Sequence, residues 1–198
     1  KMFGDSKFLG TRTITAVNSI NFARILAQIV YYFYSALRLG NNVQTPISFV
    51  VPSGNFGDIY AGFLAKKMGL NINKLVIATN ANDILVRFIN DNNYSKKSMV
   101  ETISPSMNIQ VSSNFERLLF DYHKTQNQEN LMPKLMQEFE ENGALKVEEK
   151  IWQNICTDFW AKSCSDLQTQ KTIKKYFTKC GETLDPHSAV GVFASEEF

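Results

Sequence analysis

Histidine, cysteine and proline are scarce in this chain of 198 residues: two, three and five of them. Two histidines and no HExxH leave little material for a metal centre, and none is expected. The cysteines, Cys156, Cys164 and Cys180, are odd in number and form no CxxC. They read as reduced thiols of a reducing compartment, the cytoplasm, and not as a disulfide frame. Charge of one sign is lacking too: 21 basic against 19 acidic side chains leave a net +2. Such a balance calls for neither nucleic acid nor an anionic membrane as partner. The longest apolar stretch, residues 25–39, is broken by Gln28, Ser35 and Arg38. It falls short of the roughly 20 residues a membrane span needs. No basic segment followed by an apolar core opens the chain, so no signal peptide is expected.

What is present has a globular balance, 44% hydrophobic and 20% charged, which excludes wholesale disorder and fibrous repeats. The length suits one domain or a large piece of a bigger one. The chain opens on Lys1 and closes on Phe198 after an apolar run without a Gly or Pro stop. Both ends read as cut, so a piece of a longer protein is expected.

Apolar spacing predicts a helix over 19–39, with Ile20, Ala23, Ala27, Val30 and Tyr34 near one face and Gly40-Asn41 as its stop. Residues 47–51 and 74–79 read as buried strands, each followed by a helix, 59–68 and 83–90, the second with Asn80 or Asn82 as its cap. That order is the βαβ pattern of an α/β fold with a parallel sheet. Residues 91–108 read as a long loop and 114–124 as a helix. Residues 131–179 read as helical, with breaks near 142–143 and 163–165, and a last helix starts at Asp185-Pro186-His187. Trp152 and Trp160 read as packing residues of that helical region. The acidic run Glu138, Glu140, Glu141 reads as a solvated face.

Chemistry concentrates in Ser53-Gly54-Asn55-Phe56-Gly57-Asp58, between a strand and a helix. Ligands of open α/β sheets bind at that end of a strand. Glycines let the backbone turn and offer N–H groups, and the helix adds its positive dipole end. Ser53 and Asn55 can add side-chain donors. Together these make a cradle for a phosphate-sized anion, although the same glycines also suit a plain βα turn. Neither GxxxxGK[ST] nor a full GxGxxG is present, which disfavours a nucleoside triphosphate or a dinucleotide.

VPSGNFGDIYAGFLAKKMGL followed by ATNANDILVRF resembles the phosphate-loop region of the threonine synthase family, fold-type-II pyridoxal-phosphate enzymes of tryptophan-synthase-β-like fold. Three further blocks are similar to the family's: residues 18–33 (NSINFARILAQ with YYF), residues 104–117 (SPSMNIQVSSNFER, with Asn108 where the family usually has Asp) and residues 185–191 (DPHSAVG). The blocks keep the family's order across most of the chain. The resemblance implies a partial catalytic domain over 1–198, with a parallel sheet, flanking helices and pyridoxal 5'-phosphate as cofactor. It implies conversion of O-phospho-L-homoserine and water to L-threonine and phosphate. The rival readings are a phospholyase or dehydratase of the same fold, or a non-catalytic domain that binds a phosphorylated metabolite. By resemblance Gly54, Asn55, Phe56 and Gly57 bind the cofactor phosphate and Ser188 faces the pyridine nitrogen. The family's Schiff-base lysine lies upstream; neither Lys1 nor Lys7 stands in its motif, so 1–198 alone is expected to be inactive. Asn21 and Arg24, three apart on one helix face, are candidate substrate residues, with Arg24 suited to a carboxylate or phosphate. Arg117 is a further candidate. His187, Asn82 and Asp83 read as structural.

Overall fold

The computed structural model describes residues 6–11, 18–39 and 45–198. After a single turn, α1 (Ser6–Leu9), the long helix α2 (Phe22–Arg38) leads to strand β1 (Ile47–Pro52), helix α3 (Gly57–Lys67) and strand β2 (Ile72–Thr79). Next come α4 (Ile84–Asp91), the short strand β3 (Tyr94–Ser95), α5 (Phe115–Thr125), α6 (Met132–Asn142), β4 (Ala144–Leu145) and α7 (Glu149–Asp158). Strand β5 (Phe159–Ser163) and helices α8 (Asp166–Cys180) and α9 (Pro186–Glu197) complete the order. Gly40 and Asn41, read above as the stop of α2, lie outside the described residues.

The main sheet runs β1-β2-β5, all parallel. Val51 pairs with Ile77 and Ile77 with Ala161, so β2 is the central strand. It is buried on both faces, as a continuous apolar run should be. Alternation sends Val51, Leu75, Ile77, Phe159 and Ala161 into a core under α2, α3, α4, α5 and α7. The other face, Val76 and Ala78, packs with Met107, Cys164 and, from α9, Val190 and Ala194. Burying each large side chain of this kind stabilises by about 1.5–3 kcal/mol.

Three expectations change here. Strand β5 falls inside the stretch read as helical, so Trp160 is a strand residue; it packs on Phe198 at 5.4 Å, and Trp152 donates its indole N–H to Phe88 O at 2.8 Å. The free edge of β2 explains the strand, because Leu75 and Thr79 need partners and Phe159 and Ser163 supply them. The inward face of α2 is Ile25, Ile29, Tyr32 and Ala36, whereas Ile20, Val30 and Tyr34 are exposed. Packing on α3 selects that face: a Cβ at Gly62 would stand 2.6 Å from the Tyr32 ring, so only glycine lets the two helices close. Finally, Asn80 and Asn82 cap nothing. Asp83 is the N-cap of α4, and it makes no side-chain cap bond. Asn80, 1% exposed, instead donates to Thr102 Oγ1 at 2.8 Å, Ser104 Oγ at 3.1 Å and Asn108 Oδ1 at 2.8 Å. Asn82 donates to Val100 O at 2.8 Å and accepts from Val100 N at 2.9 Å. These amides pin the 100–110 loop to the carboxyl end of β2.

Candidate functional site

The loop after β1 borders a cleft of about 180 Å³ lined by Pro52–Asp58 and, from the α2 side, by Ser19, Arg24 and Gln28. Among the described residues, the backbone N–H groups of Gly54, Asn55, Phe56, Gly57 and Asp58 donate to no protein acceptor. Gly57 and Asp58 open α3, where the first-turn N–H groups have no partner within the helix and the dipole is positive. An anion in this cleft would meet unspent donors and no backbone carbonyl competing for them.

The turn is made differently from the expectation. Neither Gly54 nor Gly57 has a positive φ; Phe56 does, at 64°. A left-handed phenylalanine is uncommon and costs backbone energy. Its ring offsets that cost: Phe56 is 2% exposed and lies 5.4 Å from the Phe115 ring and 5.9 Å from Phe159. Gly54 is required by the wall behind it, where a Cβ would meet Ile109 Cδ1 at 2.8 Å and the Ser106 carbonyl at 3.2 Å.

Ser53 is not a ligand donor, because its hydroxyl donates to Val51 O at 2.9 Å. Asn55 Oδ1 accepts from Ser113 Oγ at 3.3 Å, and its Nδ2 donates to no protein group among the described residues. Asn21 caps α2 by accepting from Ala23 N at 3.0 Å, while Arg24, one turn on, lines the cleft. Arg117 donates to Asn114 Oδ1 at 3.1 Å and to Ile20 O at 2.9 Å, which makes it a tie between α5 and the start of α2. Asp58 is the acidic side chain in the cleft wall. Burial pushes its carboxyl above the ordinary carboxylate range, with Tyr32 Oη donating to Oδ1 at 3.3 Å as a smaller pull downward.

Ser188 stands in the first turn of α9. Three residues on, a Cβ at Gly191 would lie 3.1 Å from Pro52 Cγ, so α9 sits against the end of β1 that feeds the cleft loop. The Ser188 hydroxyl donates to Asp185 Oδ2 at 2.5 Å, and the Asp185 carboxylate also accepts from His187 N at 2.9 Å. These donors, Ser188 Oγ foremost, hold Asp185 down at a pKa of about 2. His187 Nδ1 lies 3.2 Å from Asp185 Oδ1, a local contact within the cap.

The contribution of residues 112–114 is missing from the sequence reading. Asn114, fully buried, donates its backbone N–H to Asn55 O at 3.1 Å and its Nδ2 to Ser19 O at 2.7 Å and Asn55 O at 3.0 Å. Ser112 Oγ donates to Gly54 O. The only signal in the sequence was the 104–117 block, in which Ser113 and Asn114 open SNFER while Ser112 falls at an unspecified position.

A parallel sheet with an amide-lined anion cleft at the carboxyl end of a strand is the arrangement of the fold-type-II pyridoxal-phosphate enzymes, whose solved members superpose on this chain. The particular relatives are threonine synthases, to which the chain is homologous along nearly its whole length. It is 49% identical to the enzyme of Pseudomonas aeruginosa over 195 residues and 46% identical to that of Saccharomyces cerevisiae over 208 aligned positions, covering 98% of this chain in each case. A crystal structure of the pyridoxal-phosphate-bound threonine synthase of Brucella melitensis matches 99% of the chain with a TM-score of 0.91 at 46% identity. The Escherichia coli enzyme matches with a TM-score of 0.71 at 31% identity. The chain spans about two fifths of the length of these relatives: 41% and 40% of the two curated proteins, 42% and 39% of the two solved chains. No protein-family model matches the chain.

Proposed function

We propose that this chain forms part of the catalytic domain of a cytoplasmic threonine synthase, which converts O-phospho-L-homoserine and water to L-threonine and phosphate with pyridoxal 5'-phosphate as cofactor. The observation that carries the reading is the run of unspent amides from Gly54 to Asp58 at the start of α3. These groups fit the cofactor's phosphate: they bring donors, a helix dipole and no bulky side chain at Gly57, whose Cβ would make only ordinary contacts of 3.4 Å and more. Bound there, the cofactor supplies an electron sink that stabilises negative charge on the substrate's carbon skeleton.

The chain's own residues grip and orient. The N–H groups of residues 54–58 and Asn55 Nδ2 hold the phosphate end. Ser188, whose hydroxyl donates to Asp185, stands outside the lining of the cleft, and it is the resemblance that assigns it to the ring nitrogen. Arg24, which also lines the cleft, supplies positive charge for a second anion, the phosphate or carboxylate of the substrate. No lysine lines the cleft among the described residues.

The test uses the whole protein that the gene encodes, loaded with pyridoxal 5'-phosphate and given O-phospho-L-homoserine. Threonine and phosphate should appear in equal amounts, and only with the cofactor. Phosphate accompanied by 2-oxobutyrate instead of threonine would identify an eliminating relative, and binding without turnover a non-catalytic domain.

A further inference from the structure

We infer that Ser112 and Asn114 are positioning residues for the anion cleft: by holding the carbonyl groups of Gly54 and Asn55 from behind, they aim the next N–H groups into it. The inference rests on the phosphate-binding reading of this loop. In a trans peptide the C=O and the following N–H point in opposite directions, and the described residues contain no cis peptide. Gly54 O is drawn to Ser112 Oγ, which turns the Asn55 N–H away from Ser112. Asn55 O is drawn to the backbone N and Nδ2 of Asn114, which turns the Phe56 N–H away from Asn114. Phe56 O accepts from Tyr60 N at 3.0 Å, which turns the Gly57 N–H out of the end of α3. Neither Ser112 nor Asn114 lines the cleft, whereas residues 54–58 all do. The two anchors therefore lie behind the loop and the freed N–H groups face forward.

The anchors are themselves fixed. Ser112 N donates to Tyr94 Oη at 2.8 Å, and Asn114 Oδ1 accepts from Arg117 Nε at 3.1 Å. Asn114 Nδ2 also holds Ser19 O, of a cleft-lining residue, at 2.7 Å. One buried amide thus sets the direction of the donors and ties the loop to Ser19, another residue that lines the cleft. A core asparagine that merely satisfies its hydrogen bonds would affect stability alone, and this distinction is measurable.

The experiment compares the whole wild-type protein with Ser112→Ala, Ser112→Thr and Asn114→Asp by calorimetric titration with inorganic phosphate, pyridoxal 5'-phosphate and pyridoxal, alongside Tm. Ser112→Ala should weaken both phosphorylated probes about tenfold or more, leave pyridoxal within about twofold, and be rescued by Ser112→Thr, which keeps the hydroxyl. Asn114→Asp, which keeps the size but sets a carboxylate against two carbonyl oxygens, should lose the phosphorylated probes further. Unchanged phosphate affinity in Ser112→Ala, with only Tm lowered, overturns the positioning role. Absence of phosphate binding in the wild type overturns the reading of the loop itself, and the inference with it.

Discussion

A Cβ added at Gly54 would press on the Ser106 carbonyl at 3.2 Å, and backbone gives way less readily than the Ile109 methyl at 2.8 Å. Gly54→Ala should therefore cost about 1–3 kcal/mol of stability through overpacking. Gly57→Ala meets contacts of 3.4–3.8 Å and should stay within about 0.5 kcal/mol of the parent. Urea unfolding midpoints decide, and equal losses at both positions would contradict this account. The motif made the two glycines look equivalent, because spacing shows where a turn falls but not what stands behind it. Asp185 offers a second test at this scale. Its carboxylate is held to a pKa of about 2, chiefly by the Ser188 hydroxyl. A depressed folded pKa gives a contribution that is present above the unfolded value near 3.9 and lost as pH falls through about 2. Because the Asp185 side chain is 58% exposed, solvent screens that contribution and the carboxyl's own titration is the better readout. In Ser188→Ala its midpoint, followed by NMR, should rise toward the ordinary value. A midpoint that stays put would mean that the backbone N–H groups of His187 and Ser188 hold the carboxylate by themselves.

Among the elements, the 100–110 loop is tied to the end of β2 by Asn80 together with Asn82, and Asn80 is the more deeply engaged of the two. Asn80 Nδ2 reaches Thr102, Ser104 and Asn108, and its Oδ1 accepts from Asn82 N at 2.9 Å. Asn80→Ala should leave buried polar groups unmatched and cost about 1–3 kcal/mol or more. Hydrogen exchange in residues 100–110 should accelerate, and unchanged protection there would mean that other contacts carry the loop. The β1–α3–β2 unit was legible because two β-branched runs frame a glycine-bearing turn and a helix of ordinary length. Strand β5 was not: Phe159 follows Asp158 of α7 with no glycine or proline between them, and its five residues sit in a stretch with helical spacing. The face of α2 was illegible for another reason. Both its stripes are apolar, and only the fit of Tyr32 against Gly62 and against Phe49, at 4.8 Å between ring centroids, decides which turns inward.

At the scale of the molecule, the parallel sheet, its helical cover and the cleft at the end of β1 follow the sequence reading, and the order of the main strands has a consequence in time. Strand β2 lies between β1, made before it, and β5, made about 80 residues after it; at roughly 5–20 residues per second of synthesis, it waits several seconds for its second neighbour. During that interval the edge later matched by Phe159–Ser163 is open and apolar, the kind of edge that pairs with other nascent chains. A ribosome pausing between residues 80 and 160 would lengthen that exposure, and one hurrying through would shorten it. The speed of translation across residues 80–158 thus bears on how much of the chain escapes aggregation, although no residue there belongs to the main sheet.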